Sequence, residues 1–298
     1  MYPTIWYNNA RMERPKPLFD LEKVTTEQAL YALAIGLALG LRLLMLGHNP
    51  LTEAEAGWAN QALALSRGEP ATLGPQPLYV LFTTLVFWLV KPGEAWARLL
   101  PVLSGSLLVL APPLYRRWIG SSIWARRASL VLAFGLALDP ALVALSRQAG
   151  SGMPALALLF LALGLGVSRR WRLAGITAGL ALLAGPAFWQ GLLGLMLTWA
   201  VISLVQLSGL ASSKPEEPSL VVEGEPAAPS GLAPARTFSM YLAGTLLLLG
   251  TLFLRVPQGL AAFAGALPAY LQSWIPGSDL LPVPALRLPV ALLVTQPV

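Results

Sequence analysis

From Arg172 to Leu207 the chain carries no charged residue after the opening arginine. An α-helix needs about 20 consecutive apolar residues to cross the hydrocarbon core of a bilayer. Other long apolar runs lie at residues 98–115, 128–146 and 152–168, and another precedes Leu46. In lipid, backbone N–H and C=O groups must be satisfied inside the spanning structure, which restricts such runs to helices or a closed barrel. No stretch shows the ten-residue alternation of a membrane β-strand. The expected fold class is therefore an all-α polytopic membrane protein. Composition agrees: the chain is 56% hydrophobic and only 11% charged, against roughly 25% charged in soluble domains.

The net charge of +6 does not indicate nucleic-acid binding, because the basic residues sit in short loops beside apolar runs. That pattern sets topology and favours anionic lipid. The chain has no cysteine, which removes disulfide and thiol chemistry. Residues 1–26 are polar and mixed, without the apolar core and small-residue cleavage site of a signal peptide. They are expected to form a cytoplasmic segment, with the first apolar helix kept as an uncleaved anchor.

Helix one is expected to open at a capping box, Thr25 with Gln28, and to end near Leu46, with Arg42 snorkelling to the interface. Residues 47–97 form a long loop. Inside it Thr52 and Glu55 make a second capping box, and Gly68 is a stop, so 53–67 reads as a short helix. The apolar run 78–90 is short for a span and contains Thr83 and Thr84. Charge decides its placement. If 78–90 does not cross, the Arg residues at 116, 117, 126, 127, 169, 170 and 172 share a side with the basic N-terminus. That gives 13 Lys/Arg inside and 6 outside, with Arg42 in a helix. If it crosses, the balance becomes 9 to 10. The positive-inside rule favours a juxtamembrane helix on the outer face.

The remaining crossings are expected at 98–115, at 128–146 with a bend at Pro140, and at 152–168 capped by Ser151. Residues 172–185 and 187–207 read as two short crossings, with one span kinked at Gly185-Pro186 as the alternative. A last helix covers 238–255, for about seven transmembrane helices. Residues 208–237 are rich in Pro, Ser, Glu and Ala and read as a disordered cytoplasmic linker. The organisation is thus an N-terminal segment (1–26), a transmembrane module (27–207), the linker (208–237), and a last helix with an outer C-terminal segment (238–298). No internal repeat is evident. The layout places the chain in a prokaryotic inner or plasma membrane, N-terminus cytoplasmic and C-terminus outside.

Four stretches carry a family resemblance. Ala54-Glu55-Ala56-Gly57-Trp58-Ala59 with Ala62 fits a D-E-A-x-Y-A-x-x-A loop. Gln76-Pro77-Leu78-Tyr79 is similar to a P-P-L-Y segment. Ala97-Arg98-Leu99-Leu100-Pro101 to Gly105, followed by Tyr115-Arg116-Arg117, is similar to an A-R-L-P-S-x-L-x-G … Y-x-x-R-R helix, and Ser146-Arg147-Gln148-Ala149 resembles the start of an S-R-x-A-R-x-D loop. Across about residues 30–170 the chain resembles the GT-C glycosyltransferases, in the protein-mannosyltransferase, aminoarabinose-transferase and flippase-associated branch. The resemblance implies a GT-C-like module that transfers a sugar from a polyprenyl-phosphate-linked donor at the outer face. It implies membrane lipid and a polyprenyl-phospho-sugar as partners, and no nucleic acid or cofactor. The family's acid falls on Ala54, and in the second loop its Arg and Asp fall on Gly150 and Gly152.

The candidate catalytic residues are Glu55 and Glu53, since a sugar acceptor must lose a proton to a carboxylate. Each has a structural alternative, Glu55 as the third residue of a capping box and Glu53 as an acid at a helix N-terminus. Arg98 and Arg147 are candidates for the donor phosphate, which Arg binds bidentately; Lys91 reads more as a surface anchor. Asp139, an acid within an apolar run, is a candidate for a cavity or for pairing with Arg147. Gln76 and Tyr79 complete the candidate substrate set through the resemblance. His48, the single histidine, has no metal-ligand spacing around it. Against the enzyme stands a second expectation, a non-catalytic scaffold on the same frame that binds lipid or other subunits of a membrane complex. A transporter is less well supported, for no paired broken helices recur in two related halves.

Overall fold

The computed structural model describes residues 25–120, 122–207, 232–272 and 274. The expectations for the N-terminal segment, the linker core and the C-terminal segment past Trp274 lie outside the described residues. Among the described residues every regular element is helical.

In chain order the helices are α1 (Thr26–Leu43), α2 (Glu53–Ser66), α3 (Pro77–Leu89), α4 (Glu94–Ala97) and α5 (Leu99–Leu107). A 3₁₀ turn at Leu108–Leu110 leads to α6 (Ala111–Leu114) and α7 (Arg116–Ile119). Then come α8 (Ile123–Leu138), α9 (Pro140–Ser146), α10 (Gly152–Val167), α11 (Trp171–Leu183), α12 (Pro186–Leu207), α13 (Leu232–Gly250) and α14 (Gln258–Gln272). Two lengths, Leu99–Trp118 and Pro186–Val205, are long and apolar enough to cross a membrane. The pair α8 and α9, bent by 54° at its junction, makes a third when taken as one span.

Both capping boxes form. Thr25 and Gln28 close the start of α1, and Thr52 and Glu55 close the start of α2. Several sequence expectations need correction. The run from Leu99 is segmented rather than smooth, because Pro112 and Pro113 supply no N–H to the turn before them and the chain tightens to 3₁₀ there. Helix one stops at Leu43, where Met45 takes a positive φ of 54°. Ser151 precedes α10 but makes no side-chain cap bond; its buried hydroxyl has no partner among the described residues. The α11–α12 region forms two helices, with Gly185 between them at φ 80°. After that turn α12 runs beside α10, Gly191 lying against Leu159.

The bundle has two chemically distinct ends. At one, Arg116 binds Glu27 and donates to the Tyr31 hydroxyl, which bonds Ser129. The Ser168 hydroxyl donates to the Leu114 carbonyl, bringing the Arg169–Arg172 turn to the same end. The other end gathers the 47–97 loop, the 147–151 turn and the Gly185 turn. Gly185 fits there because it lacks a side chain: a Cβ would stand 1.9 Å from the Pro75 carbonyl oxygen. The largest apolar core lies under this loop end, built on Tyr79, Val80, Ala97, Ala155, Leu183 and Phe188.

Candidate functional site

At the loop end the seven candidate residues separate into one buried knot and several peripheral positions. Arg98 stands between α4 and α5, and its guanidinium turns back under the 46–55 loop. Nη1 donates to the carbonyls of Leu46 (3.1 Å) and Asn49 (2.8 Å). Nη2 donates to the Pro50 carbonyl (3.1 Å) and to Glu55 Oε2 (3.2 Å), and Nε reaches Glu55 Oε1 at 3.4 Å. A guanidinium has five N–H donors; each has an acceptor here.

Glu55 is equally committed. Oε2 accepts from the Thr52 backbone N–H (2.8 Å), closing the capping box, and Oε1 accepts from the Ala149 N–H (2.5 Å) across the bundle. Both residues are buried, Glu55 at 6% and Arg98 at 5% exposure. Burial alone pushes the Glu55 carboxyl up. The bonds from Arg98, Thr52 and Ala149 outweigh it, and the group is held below its ordinary value. A carboxylate so held is a poor proton acceptor. Glu55, the first catalytic candidate, is a tie between the first loop, Arg98 and the 147–151 turn.

The other candidates lie around this knot without joining it. Glu53 is exposed in the first turn of α2. Tyr79 is fully buried and donates its hydroxyl to the Ala97 carbonyl, fixing α3 on α4; burial raises its pKa. Gln76 accepts from the Ser151 N–H (3.1 Å), a second tie between the loops. Arg147 donates to the Met45 carbonyl (3.2 Å). Asp139 is exposed, and its carboxylate caps α9 at the Leu142 N–H (2.8 Å). The pairing of Asp139 with Arg147 is therefore corrected: among the described residues each side chain bonds backbone of a different segment instead. Four cavities of about 340–660 Å³ among the described residues are lined by other side chains and by none of these seven. No cluster of His, Asp or Glu among those residues has the arrangement of a metal site.

Arg42 is the residue that sequence reasoning misplaced. It does not snorkel. Its side chain is fully buried and donates to Ser146 Oγ (3.0 Å) and to the carbonyls of Ala38 (3.2 Å), Ala137 (3.0 Å) and Leu136 (3.1 Å). The reason lies in α8. Leu136 is four residues before Pro140, whose ring nitrogen has no hydrogen to give it. The bend at Asp139–Pro140 thus leaves carbonyls open, and the guanidinium of α1 closes them. Gly105 makes room: a Cβ there would lie 2.2 Å from Ser146 Oγ and 3.0 Å from Arg42 Nε. A basic residue within one apolar run and a proline within another were the available signals.

No protein-family model, curated protein or solved structure matches the chain.

Proposed function

We propose that the chain is a polytopic membrane protein of about seven crossings with a non-catalytic role, a GT-C-like scaffold that binds lipid or other membrane subunits. The arginine end faces the cytoplasm and the loop end faces outward, in accord with the distribution of basic residues. One observation carries the non-catalytic reading. Glu55 and Arg98 spend their hydrogen-bonding capacity on each other and on backbone. A general base must reach a substrate proton, and a phosphate clamp needs unspent donors. Glu55 and Arg98 supply neither.

The second reading is a glycosyltransferase drawing on a polyprenyl-phosphate-linked sugar, with Glu53 as base. It is favoured by the exposure of Glu53 at the same end of the bundle as the knot. A transfer assay separates the two. The purified full chain, reconstituted in vesicles, is given a polyprenyl-phospho-mannose and, separately, a polyprenyl-phospho-aminoarabinose, and release of polyprenyl phosphate is measured. The scaffold reading expects release at the protein-free rate. Turnover that disappears in Glu53→Gln, with the fold intact, overturns it.

A further inference from the structure

Helices α11 and α13 run side by side in the same direction, closer than side chains usually allow. A Cβ on Gly175 would stand 2.5 Å from the Phe238 carbonyl oxygen, and one on Gly179 would stand 2.9 Å from Thr245 Cβ. Further along, Gly250 meets Leu183. This is the small-xxx-small contact of membrane helices, here within one chain. It makes a firm seam with a groove along one side.

The seam begins at a basic pocket. A cavity of about 340 Å³ is lined by Arg169, Arg170, Trp171, Arg172, Leu173 and Thr237. The turn that carries the arginines is tightly specified. Arg169 takes a φ of 56°, uncommon for a residue with a side chain. The N–H groups of Arg169 and Arg170 bond the carbonyls of Gly166 and Leu165, and Ser168 anchors the turn to Leu114. Unlike Arg42, Arg98, Arg116 and Arg147, these three guanidiniums have no hydrogen-bond or ion-pair partner among the described residues. Three unspent cations surround one space.

One helical turn further, a second cavity of about 480 Å³ opens on the same face, lined by Ile176, Met240, Tyr241, Gly244, Thr245 and Leu248 among others. The lining positions recur at three- and four-residue steps from Leu173 and Thr237, so the two cavities follow one another along the same stripe of the helix pair. At 1.5 Å per residue, Thr237 to Leu248 spans about 16 Å, close to half of a hydrocarbon core about 30 Å thick. The charged pocket thus sits where a headgroup lies, and the groove has the length of one leaflet.

We propose that an anionic glycerophospholipid of the leaflet at the arginine end occupies this site. Its phosphate rests on the Arg169–Arg172 turn, and one acyl chain lies along α11 and α13 past Ile176 and Gly244. Charge complementarity selects the head, since each basic residue near an anionic lipid surface multiplies binding by about five. The proposal rests on the membrane reading above and names one lipid class and one site for it.

Native mass spectrometry of the full chain in mild detergent tests it, with phosphatidylglycerol and phosphatidylcholine of identical chains. The wild type is expected to retain phosphatidylglycerol over phosphatidylcholine. The combined Arg169→Gln, Arg170→Gln and Arg172→Gln variant should lose about a hundred-fold of that binding. Because changing three topogenic charges can disturb insertion, Gly244→Phe provides a charge-neutral arm. A Cβ at Gly244 meets nothing within 4 Å, so the ring fills the groove without striking the fold, and retention of both lipids should fall about ten-fold. Equal retention of the two lipids by the wild type, or phosphatidylglycerol binding unchanged in either variant, overturns the proposal. So does full displacement by an equal concentration of inorganic phosphate, which would mark a free-anion site. Alkaline carbonate extraction keeps the two readings apart. A chain washed off membranes defeats the membrane reading itself. A chain that stays without preferring anionic lipid defeats only this site.

Discussion

Replacing Glu55 by Gln removes one charge and keeps the side chain's shape, so it separates a structural carboxylate from a catalytic one. In the wild type Glu55 accepts from the N–H groups of Thr52 and Ala149 and from two Arg98 nitrogens. An amide offers one oxygen, and its NH₂ would point at a group that also donates. Removing one partner of a buried pair costs about 3–5 kcal/mol. Arg98 keeps its three carbonyl acceptors, and the pair's side chains are only 6% and 8% exposed, so solvent screening takes little away. The lower end, about 3 kcal/mol, is expected, which lowers the thermal midpoint by roughly 6–12 °C. The assay is thermal challenge of detergent-solubilised protein followed by size-exclusion chromatography, at pH 7 and at a series of acidic pH values. The carboxyl's folded pKa lies below its ordinary 4.5. Its stabilisation is therefore complete above that value and is lost as pH falls through the folded pKa. The wild type should approach Glu55→Gln only as pH falls below 4.5 and through that depressed pKa. A midpoint for Glu55→Gln within 1–2 °C of wild type at pH 7 would refute the knot, since that is less than roughly 1 kcal/mol. Loss of a transfer activity at unchanged stability would return Glu55 to the catalytic role.

Arg42→Met should cost about 2–4 kcal/mol by stranding the carbonyls of Leu136 and Ala137. Adding Pro140→Ala should recover part of that, because the new N–H can bond Leu136; a thermal double-mutant cycle with no coupling would contradict this account. Gly185→Ala places a Cβ 1.9 Å from the Pro75 oxygen at a φ of 80°, and should cost about 2 kcal/mol or more, read as loss of the monodisperse peak on mild heating. Because the chain has no cysteine of its own, single substitutions can report topology through a membrane-impermeant maleimide on intact cells. Glu69→Cys and Pro92→Cys should both react, and Ile123→Cys only after permeabilisation. Opposite sides for positions 69 and 92 would show that α3 crosses.

The sequence disclosed the elements whose causes are local. Thr25 with Gln28 and Thr52 with Glu55 name their own helix starts, and Pro140 and Gly185-Pro186 mark a bend and a break. What stayed hidden depended on partners distant in the chain. Nothing around Arg98 tells that it will donate to Leu46, Asn49 and Pro50, because carbonyl acceptors carry no residue identity. The Ala149 N–H that completes Glu55 is hidden for the same reason. The resemblance drew attention to Glu55, Arg98, Gln76 and Tyr79, and these positions do gather at one end of the bundle. It assigned them chemistry, whereas their contacts assign them attachment. Gly175 and Gly179 have the spacing of a helix-packing pair, but nothing near them in sequence names their partner, since the α13 face that they meet follows α12 and a long intervening segment.

The contrast between the ends also bears on where function resides. At the loop end, Arg98 is fully bonded, Arg147 is tied to Met45, and Gly185 is locked against Pro75. A site needs groups whose bonding remains open, because a ligand can gain only what the fold has not already taken. At the arginine end, Arg169 and Arg170 are held by backbone bonds and Arg172 by the first turn of α11, while their guanidiniums stay open beside a cavity. Burying an ion pair is costly, and removing one partner costs more. The knot therefore constrains the 46–55 loop and the 147–151 turn against change, and the open arginines leave the Arg169–Arg172 turn available for binding. On this argument substitutions at Glu55 or Arg98 alter stability first, whereas substitutions at the Arg169–Arg172 turn alter what the protein holds.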